Sequence, residues 1–227
     1  MPKNDTWRFT NREELITQLK QRDWKNDFKL AHDDGNFGPL SAIYRSVGSS
    51  TFRAFRTHKE WGPSFVFREW AARELYGGRL EELIAVRSNG QYRSWAVKMA
   101  RNLGKEWQKR LRYELELPRA LKLINLLAKG LCIVTPLWPD KFESIVWFVD
   151  VPLDKYSLQP LACLPELESL GINWNSASMG SIKDLKTYAK IQDSILAFCG
   201  ETSVPPLAYD FLAWDAPHGK VKGLAEN

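Results

Sequence analysis

The sequence predicts a mostly α fold. Three observations carry this. Apolar residues recur at helical spacing, most clearly Trp95, Met99, Leu103 and Trp107, each four residues after the last. Proline and glycine punctuate the helical stretches: Pro63-Ser64 and Pro118 stand at starts, Gly77-Gly78 and Gly130 at ends. One run, ESIVWFVDV at 143–151, is β-branched and aromatic, and it reads either as an extended strand or as a buried linker. The sum is eight or more helices with at most one extended segment.

Taken in order, residues 1–9 form a polar tail. Thr10 or Asn11 caps a first helix, with Glu13 and Glu14 in its first turn and Leu15, Ile16 and Leu19 on its apolar side. Residues 24–40 read as a loop. Ile43, Val47, Phe52 and Phe55 suggest one or two short helices around Gly48-Ser49-Ser50. A helix over 63–76 and a shorter one over 79–86 follow, the latter stopping at Asn89-Gly90. The longest helix spans about 91–113, and its polar side carries Arg93, Lys98, Arg101, Lys105, Lys109 and Arg110. That side is either a solvated surface or a phosphate-binding face. The helix from Pro118 ends at Gly130, and the chain turns through Pro136 and Pro139. Asp154 caps a helix to about Leu164, GINWNSASMGS is a polar loop, a helix covers 182–199, and Pro205-Pro206 precede a last one, LAYDFLAW.

At 227 residues the chain can bury a sizeable core in one globular unit. We expect an N-terminal helical part over about 10–113, a catalytic helical part over 114–215 and a flexible tail over 216–227. The net charge of +5 leans toward a polyanionic partner. The ten tryptophans suit either base stacking or core filling. Cys132, Cys163 and Cys199 are far apart, as expected of free thiols in a reducing compartment. No CxxC pair exists and His32, His58 and His218 are isolated, so neither a metal nor another cofactor is expected. No signal peptide or membrane span is read, and the expected location is the cytoplasm.

The chemistry-bearing residues are a lysine and an aspartate. Lys122, Asn125 and Lys129 fall on one stripe of an otherwise apolar helix. The stripe is either a solvent edge or the lining of a cleft. In a cleft, apolar surroundings favour the neutral form of an amine, which is a nucleophile. Asp154 stands 25 residues after Lys129, from 154 − 129, which allows the chain to return to the same place.

RALKLINLLAKGLCI followed by VDVPLDKYSL resembles the helix-hairpin-helix DNA glycosylase superfamily, and is most similar to its 8-oxoguanine glycosylase branch. The resemblance covers about forty residues. It implies a helical fold of two packed subdomains with a cleft between them. It further implies Lys129 as the nucleophile at the sugar and Asp154 as the carboxylate that stabilises the developing charge. Phe211, Trp214 and Asn125 are then candidates for contact with the flipped base, and Lys98, Arg101, Lys105, Arg119 and Lys122 for contact with the DNA backbone. The expected partner is double-stranded DNA carrying a damaged or modified base, bound by a monomer. The family's hairpin reads Leu-Pro-Gly-x-Gly, whereas Leu117-Pro118-Arg119-Ala120 stands here without glycine. Two other readings remain open: a nucleic-acid-binding module without catalysis, and a HEPN-like ribonuclease using Arg53 and His58.

Overall fold

A computed structural model describes residues 9–25, 39–48, 51–55, 62–134 and 143–215. These residues are mostly helical and include no strand. In chain order the α-helices are α1 (Arg12–Gln21), α2 (Pro39–Ser46), α3 (Pro63–Glu74), α4 (Leu80–Ile84), α5 (Asn89–Leu111), α6 (Leu117–Val134), α7 (Lys155–Leu158), α8 (Leu185–Glu201) and α9 (Pro206–Asp215). Short 3-10 turns follow α7, over Gln159–Cys163, Pro165–Leu170, Trp174–Ser176 and Met179–Ser181. The tail at 216–227, most of the loop at 24–40, and His58 lie outside the described residues, as does the side chain of Arg53.

Contacts divide the chain into two compact units. Phe28–Asp150 form a mid-chain unit, and Met1–Asp27 with Val151–Asn227 form a terminal unit. The division falls elsewhere than a boundary near residue 113: α5 and α6 share the mid-chain unit, and α1 belongs with the C-terminal helices.

In the mid-chain unit α6 packs on α5 and on α2, and α3 packs on α5. Phe52, Phe67, Trp70, Tyr92 and Trp107 fill the space between them. Phe55 meets Trp107 edge-on with centroids 5.5 Å apart, and the Tyr113 hydroxyl donates to the Phe55 carbonyl at 2.9 Å. Gly130 does not end α6. A Cβ built there would lie 2.2 Å from the Ser46 Cβ, so this glycine is where α2 crosses α6 backbone to backbone, and the helix runs on to Val134.

Asn89-Gly90 likewise starts a helix rather than ending one. Ser88 caps α5, its Oγ accepting from the Gln91 amide at 3.3 Å, while the Gln91 side chain accepts from the Arg87 amide at 2.7 Å. Gly77-Gly78 lie inside a wide turn, Leu75–Arg79, that joins α3 to α4, and Gly78 takes φ +100° there. The run 143–151 begins with a helical turn, and the stretch from Val149 to Val151 and on to Leu153 is buried without regular structure. It is a buried linker rather than a strand.

In the terminal unit Asn11 caps α1, accepting from the Glu14 amide at 2.9 Å. α1 packs on α8 and α9, and α9 also packs on α7. Ion pairs Arg12–Glu201 and Arg22–Asp215 tie α1 to those two helices. Asp184 caps α8 through the Thr187 amide at 2.7 Å.

Candidate nucleic-acid interface

An open groove of about 710 Å³ lies in the mid-chain unit. Arg79, Arg93, Lys98, Arg101 and Lys105 line it, with Ser94, Val97 and Asn102 between them. All but Arg79 come from α5, whose cations at 98, 101 and 105 recur every three or four residues, with Arg93 five residues before the first of them. Arg79 enters from the wide turn. The Trp95 indole N–H donates to its carbonyl at 3.1 Å, which holds that turn against α5.

Three of the expected DNA-binding residues, Lys98, Arg101 and Lys105, therefore share one concave surface. The other two stand elsewhere: Arg119 is exposed and pairs with Glu116 at 3.3 Å, and Lys122 is half-buried on α6. Arg110, further along the basic face of α5, pairs with Glu69 and lies 5.5 Å from the Phe65 ring centroid.

The groove's charge is partly compensated. Lys98 approaches Glu82 at 3.3 Å, and Arg79 pairs with Glu82 and, at 3.6 Å, with Glu74. Asn102 donates to Glu74 at 2.8 Å. Arg93 donates from Nε to both oxygens of the buried Asp150 at 3.1 Å. Among the described residues Arg101 and Lys105 have no ion-pair partner, and both are exposed. Glu74, Glu82 and Asp150 are the functional neighbours that sequence reasoning missed. The i,i+3 step from Arg79 to Glu82 was a local signal for one of them, while the pairing of residues 93 and 150 had none.

Lys129 belongs to the mid-chain unit and Asp154 to the terminal unit. Lys129 is half-buried on α6, between Ala128, which is fully buried, and Gly130. Asn125, one turn before it, is fully buried, and its Oδ1 accepts from the Tyr92 hydroxyl at 2.8 Å. It is a tether between α5 and α6 with no surface to offer a base in this structure. A helical wheel sets it beside two lysines and gives no sign that Tyr92 closes over it.

Asp154 is the N-cap of α7. Its Oδ1 accepts from the amides of Tyr156 at 2.9 Å and Ser157 at 3.3 Å, and the Ser157 Oγ accepts from the Asp154 amide at 2.8 Å. That box is itself anchored: Ser157 Oγ–H donates to the Pro152 carbonyl at 3.0 Å, and the buried Tyr209 hydroxyl donates to the Ser157 carbonyl. Burial pushes the Tyr209 phenol well above its usual range, so it stays a donor. Two residues after Asp154, the Tyr156 ring meets Trp214 edge-on at 4.8 Å. Trp214 is 46% exposed. Phe211, half-buried on the same helix, faces the Arg22 guanidinium 6.0 Å away. One of the two expected base-pocket aromatics thus stands against Asp154's own helix with open surface to offer.

The three thiols are free. Among the described residues no cluster of histidine, cysteine or carboxylate side chains is of the kind that holds a metal, and no helix is long and apolar enough to cross a membrane. Comparison with models of protein families, with curated proteins and with solved structures finds no match.

Proposed function

We propose that this chain is a DNA glycosylase that flips a damaged or modified base out of duplex DNA and excises it, in repair or in defence against modified phage DNA. The observation that supports it best is Asp154. A half-exposed carboxylate at a capped helix start, two residues before the tyrosine that meets the exposed Trp214, is what the resemblance requires of the charge-stabilising residue. The proposal includes the glycosylase-like arrangement of two helical subdomains about a cleft, a cytoplasmic location and a monomer.

In this reading the glycosidic bond to the base breaks and the base leaves with the bonding pair. Asp154 stabilises the positive charge that develops on the sugar. The lone pair of the Lys129 amine forms the new bond to C1′; one amine proton passes to the departing base and one to the ring oxygen as the sugar opens to a Schiff base. β-Elimination from that adduct would add strand cleavage. Trp214 and Phe211 supply stacking for the extruded base. The groove on α5 holds the backbone through Lys98, Arg101 and Lys105.

Borohydride trapping tests this, on duplexes bearing an abasic site or a panel of modified bases. A covalent adduct lost in Lys129→Gln and kept in Lys122→Gln establishes the nucleophile and the reaction together. Base release that needs Asp154, with no adduct, indicates a glycosylase using water.

A binding module without catalysis is the second reading. It is favoured by the groove being lined by residues of the mid-chain unit alone, whereas Asp154 belongs to the terminal unit. Duplex binding that survives Lys129→Gln, with neither adduct nor base release on any substrate, would establish it.

A further inference from the structure

Glu82 bridges two cations of the groove. Its carboxylate takes the Arg79 guanidinium on one oxygen and lies 3.3 Å from the Lys98 ammonium on the other. Arg79 and Lys98 come from different elements, and both line the groove. Beyond Lys98 along α5 stand Arg101 and Lys105, which have no such carboxylate among the described residues. The groove therefore has two regions: one where cations are already neutralised and one where they are not.

We propose that the groove is a clamp for one strand of a DNA duplex, and that Glu82 is a built-in competitor that limits it to two phosphates. Naming DNA rests on the reading given above; the clamp itself rests on the groove. Arg101 and Lys105 lie one helical turn apart, about 6 Å along the axis, comparable to the step between neighbouring phosphates of a strand. They meet two successive phosphates. Arg79 and Lys98 could extend the same track, but each must first leave Glu82. An exposed carboxylate bridging two cations is a modest interaction. It is large enough to hold those cations against loosely bound, unmodified DNA. A substrate held additionally elsewhere can displace it. The device lowers affinity for bulk duplex without occlusion of the track.

The position of Glu82 makes the competition removable. The Glu82 side chain is 43% exposed, and Gln keeps its shape while removing its charge. Arg79 retains Glu74 and the Trp95-anchored backbone, so the turn keeps its anchors. A charge-matched control exists in Glu69, which pairs with Arg110, a cation that does not line the groove.

The experiment is fluorescence anisotropy of a labelled, unmodified duplex with the full chain, titrated at several salt concentrations. Wild type is compared with Glu82→Gln, Glu69→Gln and the double variant Arg101→Gln/Lys105→Gln. Glu82→Gln is expected to bind roughly threefold to tenfold tighter at low salt, and its log–log salt slope to steepen by about 1 to 2 as Arg79 and Lys98 join the track. Arg101→Gln/Lys105→Gln should lose affinity and flatten the slope by about 2. A Glu82→Gln slope equal to that of Glu69→Gln overturns the competitor. An unchanged slope in the double variant overturns the clamp. The same shifts on single-stranded RNA with tighter binding than on duplex overturn the assignment to DNA. All three readouts need no catalysis, so an absence of base release leaves them intact.

Discussion

The side-chain amide of Gln192 closes two hydrogen bonds on the backbone of Val151. Its Nε2 donates to the Val151 carbonyl at 2.7 Å and its Oε1 accepts from the Val151 amide at 2.9 Å. Both partners are buried, so the glutamine on α8 acts as the missing neighbour strand for one residue of the linker. That residue stands three positions before Asp154. Gln192→Leu strips both bonds from buried backbone groups. We expect a loss of about 2–4 kcal/mol by urea denaturation. Hydrogen exchange at Asp154, Tyr156 and Ser157 should rise with it. Exchange confined to α8 would mean that the clamp does not position the cap.

Asp154 contributes a cap and, in the proposed reading, a charge, and two substitutions separate them. Asp154→Ala removes the acceptor for two amides and should cost about 0.5–2 kcal/mol. Asp154→Asn keeps the acceptor, so its stability should stay within about 0.5 kcal/mol of wild type. Base release should nevertheless fall in both. Full release by Asp154→Asn would remove the carboxylate from the chemistry.

Gly130 lies where two helices touch. A β-carbon there would stand 2.2 Å from the Ser46 Cβ and 3.2 Å from the Ala42 carbonyl oxygen. Both obstacles are backbone or next to it and have little room to yield. Gly130→Ala should destabilise the protein by about 1–3 kcal/mol or more, despite alanine's better helix propensity. Gly104→Ala is the control. The nearest atom to its built Cβ is 3.8 Å away, so the usual gain of Gly→Ala within a helix should appear.

Stability should fall at alkaline pH. Burial pushes the thiols of Cys132 and Cys199 far above their ordinary value, and that of Cys163 from 9.0 to about 11. The unfolded chain releases these protons near its ordinary value while the folded chain retains them. The stabilisation is therefore complete below about pH 9 and is lost as pH rises toward 11 and beyond. Thermal melts at pH 8 and pH 10 should differ, and Cys163→Ser should narrow the difference. Alkylation under native conditions should reach Cys163 first, because the other two are buried.

Some features were decided within a few residues. Asp154 followed by Lys155, Tyr156 and Ser157 makes a capping box from its own neighbours, so its place at a helix start was readable. The four-residue spacing of Trp95, Met99, Leu103 and Trp107 announced α5 and, by symmetry, its basic face, because helical periodicity is a local property. Other features depend on elements distant in sequence. A wheel drawn on α6 sets Asn125 beside Lys122 and Lys129, yet Tyr92 closes over it from 33 residues away. Gly130 resembles a helix stop until α2 is laid across it. Arg93 is one more cation on a stripe until Asp150 pairs with it from 57 residues away. Neighbours one turn apart were enough to read the helical class, the caps at Asn11 and Asp154 and the basic stripe, while the caps at Ser88 and Asp184 were missed. Only the tertiary structure decided which of those cations are neutralised and which polar side chains are buried, because charge pairing and burial depend on which elements meet in space.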